Sequence, residues 1–453
     1  MESPAVVETS GSGLKFMLRA LRYPNYRLFF AGQGVSLIGT WLTTTATSWL
    51  VLRLANEGKL IEAATALGIV RFASQIPMSV LAPAAGVLID RWSRHRVLMV
   101  TQALSLLQSV ALAVLTISKT INVFQIVLLS VFQGLVNSFD APARQAFVVE
   151  LVEDRDDLPN AIALNSSMFN GARLLGPAVA GIMIAQLGEG MCFVIDAISY
   201  LAVLIALMMM KLKPAEAQTQ RKRAWQDMRD GFAYVVGFPP VRALLMLAGM
   251  ISLTVGAYQT LMPIFAQKIA PEGHGAAVFG FLGAAVGVGA LAGAIYLASR
   301  RTVVGLGRVI AWAAMLGGVS MAVFALTSML WLLLLTSAVA GFGMIVTFAS
   351  SNTLLQTIVE DDMRGRLMSF FIVAVMGAAP LGSLIAGWTA DRVGEAPTVF
   401  ACGILSILAA FMFQLKLPAL RPLVREIYLR KGILPQVAEG LRAADRLNTA
   451  DER

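Results

Sequence analysis

The chain has 453 residues, of which 57% are hydrophobic and 14% charged, with a mean hydropathy of +0.72. A soluble domain carries about 25% charged residues, so this balance excludes a water-soluble globular protein and points to one membrane-embedded body rather than several soluble domains. Two cysteines, Cys192 and Cys402, are too few for a disulfide framework or a four-ligand metal site, and the net charge of +9 is not interleaved with aromatics as a nucleic-acid surface requires.

The first 28 residues hold Lys15, Arg19, Arg22 and Arg27 but no short apolar core followed by a small-residue cleavage site, so a cleavable signal peptide is not expected. The first hydrophobic run directs insertion itself. Runs of about 20 residues able to cross a bilayer of ~30 Å fall at 28–52, 63–89, 97–117, 122–141, 161–187, 191–210, 241–267, 276–298, 308–327, 329–350, 366–390 and 396–415. That is an all-α integral membrane protein with twelve transmembrane helices. It divides into an N-terminal tail (1–27), a six-helix half (28–210), a linker (211–240), a second six-helix half (241–415) and a C-terminal tail (416–453).

Charge orients the chain. With the N-terminus inside, 29 of the 36 Lys and Arg residues fall on the cytoplasmic side, five fall outside, and Arg71 and Arg173 lie within spans. This asymmetry predicts cytoplasmic termini and contact with an anionic inner leaflet.

The sequence also repeats. GARLLGPAVAGIMIAQLGE at 171–189 aligns without gaps on GAAPLGSLIAGWTADRVGE at 377–395, with Gly171, Gly176, Gly181, Gly188 and Glu189 matching Gly377, Gly382, Gly387, Gly394 and Glu395. The two segments are the fifth and eleventh spans, the register of two parallel six-helix repeats. Their small residues permit close helix packing. In the linker, Trp225, Met228, Phe232 and Val235 fall at helical spacing and predict an amphipathic helix on the inner leaflet, stopped before Pro239-Pro240.

GVLIDRWSRHR at 86–96 resembles the signature loop of the major facilitator superfamily: a glycine, an aspartate four residues on, then spaced arginines between spans two and three. Gly171 with Gly176, Pro177 and Gly181 is similar to the fifth-span signature of the antiporter branch. Together with DAPARQAFVVEL (140–151) and GFAYVVGFPPVRALL (231–245), these stretches resemble the bacterial group of enterobactin exporters, macrolide efflux permeases and secretion effectors. The resemblance implies the major facilitator fold, alternating access and export of an amphipathic small molecule such as a siderophore or drug-like compound from a bacterial cytoplasmic membrane. Protons are its candidate coupling ion. It also implies a cytoplasmic gate in which Gly86, Asp90, Arg91, Arg94 and Arg96 work with Arg144 and with the start of span eleven near Arg366; a monomer without cofactor or metal is expected.

The pattern is departed from in three places. Ser130 stands where the proton-coupled exporters keep an arginine before Gln133-Gly134; span one has no acid; and the second-half loop, GAIYLASRR, lacks its aspartate. The polar residues left inside the spans are the candidate cavity lining, Arg71, Gln133, Asn137, Asn170, Arg173, Asp196 and Gln259, with Gln33, Gln75, Tyr258, Asn352 and Gln356 as further polar lining; for each of the amides, helix-to-helix hydrogen bonding is the competing role. Asp196 also has the outer interface within reach. Gly171, Gly176, Pro177, Gly181, Gly382 and Gly387 are the candidate packing residues. No phosphate-binding loop or nucleophile elbow occurs, and His95 and His274 stand apart from any catalytic set. An enzyme is therefore not expected. A lysophospholipid carrier of the same fold is the nearer alternative, and a non-transporting scaffold the more distant one.

Overall fold

The computed structural model describes residues 18–58, 61–89, 92–211, 224–300 and 302–431, and nearly all of them are helical. The first half consists of α1 (Pro24–Gly58), α2 (Ala63–Ile89), α3 (Arg94–Ile117), α4 (Val123–Glu150), α5 (Leu158–Leu187) and α6 (Glu189–Met209). After a short helix, α7 (Ala224–Gly237), come α8 (Pro239–Ile269), α9 (Gly275–Ala298), α10 (Leu306–Leu326), α11 (Leu330–Ile358), α12 (Asp361–Val393) and α13 (Glu395–Arg430). All but α7 are long and apolar enough to span a membrane, which makes twelve. In hydrocarbon every backbone N–H and C=O must be satisfied within the segment, and a helix does this.

The two halves repeat one packing scheme. α2 lies on α4, and α3 on α6; in the second half α9 lies on α11, and α10 on α13. The sequence repeat has a structural counterpart at the ends of α5 and α12. Each ends on a glycine in the positive-φ region, Gly188 at 79° and Gly394 at 95°, a conformation that L side chains rarely adopt. The next residue then pairs with the first helix of its own half. Glu189 meets Arg53 of α1 at 3.0 Å, and Glu395 meets Lys268 of α8.

Several helices outrun the hydrophobic stretches that mark them. α1 begins at Pro24, α4 runs to Glu150 and α11 to Ile358; α13 continues well past residue 415, through Pro418 and Pro422, to Arg430. Hydropathy stops where the bilayer stops, whereas these helices go on as long as packing supports them. Leu417, Leu420 and Tyr428 are buried, and Lys431 Nζ donates to the carbonyls of Thr357 and Val359 at 2.9 and 3.0 Å. That ammonium satisfies carbonyls left orphaned at the end of α11, so the part of 416–453 that is described is a packed helix rather than a tail.

α7 stops before Pro239, the first residue of α8, where a missing N–H is harmless. It rests on α12: the Phe232 and Phe370 rings lie 6.4 Å apart, and a Cβ on Gly231 would stand 2.8 Å from Phe370. Trp225 and Met228, expected on the same apolar face, lie outside the residues whose side chains are described. At the N-terminus, Arg19 and Arg22 bind Asp157 at 3.0 and 2.7 Å, and the Tyr26 hydroxyl donates to the Ala161 carbonyl at 2.8 Å, fastening the entry of α1 to that of α5.

Candidate functional site

The halves meet along two seams, α2 with α12 and α5 with α9. Both are tight at the end of the bundle away from the basic loops. There Asp391, in the last turn of α12, accepts the N–H groups of Ala64 and Thr65 at 3.2 and 2.8 Å. These are amides of the first turn of α2, which have no partner within their own helix, and the positive end of the helix dipole favours a carboxylate. A Cβ on Gly68 would stand 2.6 Å from the Ser383 carbonyl, and one on Gly387 would collide with the backbone of Ala64. On the other seam, a Cβ on Gly181 would lie 2.5 Å from the Ala276 carbonyl and 2.8 Å from Gly280 Cα, and one on Gly287 would lie 2.8 Å from Leu174 Cα. Trp49 of α1 covers the gap, stacked on Phe279 of α9 at 6.5 Å.

Toward the basic end both seams part. Gly171 sits one turn before Leu174, yet a Cβ there would meet nothing within 4 Å; at the repeat position, Gly377, it would meet only Val373 of its own helix, at 3.9 Å. Ser79, whose hydroxyl donates to the Met376 carbonyl at 3.0 Å, is a late link between α2 and α12. Beyond it Ile162 and Phe169 on α5, and Ile372 and Val373 on α12, are exposed. The molecule is therefore closed at one end and opens as a vestibule at the basic end.

Two arginines stand where the seams tighten. Arg71 of α2 reaches across to α8, where its Nη2 donates to Gln259 Oε1 at 2.7 Å, while its buried Nε has no partner. Arg173 of α5 points at α11, with Nη2 3.9 Å from Met344 Sδ. No carboxylate among the described residues pairs with either. A guanidinium stays protonated, and a charge at the centre of a bilayer costs several kcal/mol, from about 2.5 to above 10. Two such charges without acids at the junction of the halves are suited to holding an anion.

The other expected site residues sort into two groups. Within the first half, Gln133 Nε2 donates to Ser105 at 3.0 Å and to Asn137 at 3.1 Å, and exposed Asn170 bonds the Ser166 carbonyl at 2.9 Å. Asp196 does not line the vestibule, nor does it reach the outer interface. It is 1% exposed, held between α1, α3 and α6 by the hydroxyls of Thr43 (2.6 Å) and Ser109 (2.7 Å). A helix position that hydropathy places near an end is here turned inward by its hydroxyl donors.

Around the signature loop, Gly86 belongs to the last turn of α2, while Asp90 and Arg91 lie outside the described residues. Arg94 pairs with Glu150 at 2.6 Å, Arg96 is exposed, and His95 Nε2 donates to the Leu207 carbonyl at 3.0 Å. Arg144, expected beside Asp90, pairs with Asp140 on its own helix and faces Gln33, whose amide oxygen, with the amide assigned by its hydrogen-bonding partners, accepts from Nε and Nη1 at 3.2 and 2.8 Å. Arg366 is half-buried, with Nη1 3.4 Å from Met363 Sδ. Of the packing residues, Gly176 lies under Trp41 and Gly382 against Leu253, both within their own halves, whereas Pro177, Gly181 and Gly387 form the seams.

Sequence reasoning missed Asp391 as a cap on another helix, because only the tertiary fold brings residue 391 to residue 64. The glycines of α9 that receive α5, Gly280, Gly283 and Gly287, were readable in GFLGAAVGVGALAG as small residues recurring every three or four positions.

Comparison with known proteins agrees with this architecture. The staphyloferrin A transporter of Staphylococcus aureus is 24% identical over 388 residues, covering 85% of this chain and 95% of the relative. The multidrug efflux pump Tap of Mycolicibacterium fortuitum is 26% identical over 411 residues, covering 88% and 98%. Among solved structures, the nucleoside transporter NupG superposes with a TM-score of 0.69 at 14% identity, covering 88% of this chain and 99% of that one, which shows the fold alone. The sequence profile of the transmembrane secretion effectors matches residues 17–427, and the chain belongs to that family of the major facilitator superfamily.

Proposed function

We propose that the protein is a gradient-driven exporter of an amphipathic small molecule bearing an anionic group, working by alternating access in a bacterial cytoplasmic membrane. The observation that carries this reading is the pair of acid-free arginines, Arg71 and Arg173, where the seams between the halves tighten at the closed end of the vestibule. Arginine holds carboxylate or phosphate groups through two parallel hydrogen bonds, and the exposed Ile162, Phe169, Ile372 and Val373 offer an apolar wall to the rest of the solute. The basic end faces the cytoplasm, in keeping with 29 of 36 Lys and Arg residues on that side and an anionic leaflet beside them. The structure is then the inward-open state, ready to load from the cell.

The working unit in this reading is a monomer, both six-helix halves lying on one chain. The named substrates of the relatives, a siderophore in one case and drugs in the other, fit an amphipathic solute. Mass spectrometry of spent medium from deletion and complemented strains tests the reading. An anionic amphiphile that disappears from the medium of the deletion strain and returns on complementation supports it. A change confined to the lipid composition of the two leaflets supports a lipid carrier instead.

A further inference from the structure

We infer that Asp196 is the reversible proton-binding site that couples this transporter to a proton gradient; the inference rests on the reading of the chain as a gradient-driven carrier. Of the carboxylates buried in the spans of the first half, Glu189 stands at a helix end paired with Arg53, while Asp196 and Asp140 lie well inside their helices, in surroundings that differ in kind. Asp140 accepts from the Gln102 amide at 2.8 Å and is paired with the Arg144 guanidinium, besides the Thr101 hydroxyl at 2.8 Å. An amide NH2 and a guanidinium only donate. Asp140 therefore keeps a cation and an amide donor beside its one hydroxyl partner.

Asp196 has no cation. Its Oδ2 accepts from Thr43 of α1 at 2.6 Å and Ser109 of α3 at 2.7 Å, and its Oδ1 lies 3.5 Å from the Ser199 hydroxyl. A hydroxyl is both donor and acceptor, and its hydrogen rotates. When Asp196 is ionised these hydroxyls donate to it; when it is protonated it donates to one of them in turn. Either state is satisfied without moving a heavy atom, as a site that loads and unloads a proton requires.

The position suits coupling. Gly39 of α1 leaves room for the carboxyl, since a Cβ there would overlap Asp196 Oδ1 and lie 2.5 Å from Ser199 Oγ. The same helix carries Trp49, which covers the closed end, and Gln33, which holds Arg144. A change in the charge of Asp196 therefore acts on the helix that takes part at both ends. Tyr200 lies beside Thr40 and within electrostatic reach of Asp196, Asp140 and Arg144. Thr40 is exposed, two helical turns from Gln33 on the same face of α1.

The titratable and charged groups that face the site are few. On its own helix they are Tyr200 and, at the helix start, Glu189 paired with Arg53 of α1; the buried residues of α3 include no acid or base; and α4 contributes Asp140 with Arg144.

Spin labels at Gly58→Cys and Glu272→Cys, exposed at the closed end of the two halves, report opening by double electron–electron resonance without a substrate. Infrared difference spectra report the protonated carboxyl stretch. In purified wild type, lowering the pH is expected to shift the distance distribution and to raise that band. Asp196→Asn, isosteric and able to bond the same hydroxyls, should lose both responses; Gly171→Ala, which enters open space, should keep them. Thr43→Val keeps the carboxyl, removes one partner, and should titrate with a displaced midpoint. A pH response that persists in Asp196→Asn, or none in wild type, overturns the inference. Because neither readout needs transport, failure to find an exported compound bears on the exporter reading alone.

Discussion

Replacing Asp391 with alanine removes a contact that exists only while the end away from the basic loops is closed. The carboxylate accepts two N–H groups, at 3.2 and 2.8 Å, from the first turn of a helix in the opposite half. A hydrogen bond to a charged group contributes about 1.5 to 3 kcal/mol, and loss of a helix N-cap costs about 0.5 to 2. Asp391 is half-buried at a helix end, where water replaces part of what is lost, so a net 1 to 2 kcal/mol is appropriate, roughly a 5- to 30-fold change in the ratio of states. In Asp391→Ala the population open at that end should rise by that factor, seen as a longer component between labels at positions 58 and 272. Asp391→Asn keeps one acceptor oxygen and should fall between the two. Distance distributions identical in wild type and Asp391→Ala would refute the latch.

The seams give a paired test. Gly181→Leu cannot close against Ala276 and Gly280, and should trap the protein open at that end with transport abolished, whereas Gly171→Ala enters open space and should be folded and active; equal transport by the two variants would contradict the seam geometry. Lys431→Ala removes two carbonyl contacts at the end of α11 and should lower the melting temperature by about 1 °C, for a loss of about 1 kcal/mol; an unchanged melting temperature would make the contact incidental. For topology, Glu272→Cys should react with an impermeant maleimide in intact cells and Lys211→Cys only after permeabilisation, both positions being exposed, and the reverse labelling would invert the assigned orientation.

The twelve spans were legible because the hydrocarbon core imposes a length and a composition that nothing else in the chain mimics. The glycine repeat was legible for a related reason: Gly181 and Gly387 lie against other helices, and Gly188 and Gly394 hold positive φ, which restricts both kinds of position to one residue type. The end of α13 was not legible, since Lys416, Arg421 and two prolines read as tail while Leu417, Leu420 and Tyr428 bury against the second half. The polar interior was legible as residue types only. Which acid has a cation and which has hydroxyls, Asp140 or Asp196, depends on which face of α3 and α4 meets α6, and periodicity does not carry that information.

The central claim is that a cytoplasmic anionic amphiphile binds Arg173 and leaves by the opposite end. Uptake of the compound missing from the deletion strain's medium into everted vesicles tests it directly, comparing wild type with Arg173→Lys, which keeps the charge and loses the planar fork. The account predicts energy-dependent accumulation by wild type and, at normal protein abundance, a loss of about 10-fold or more in the variant, since a charge-assisted bond contributes about 1.5 to 3 kcal/mol. Wild-type uptake by Arg173→Lys, or accumulation only in right-side-out vesicles, would contradict it.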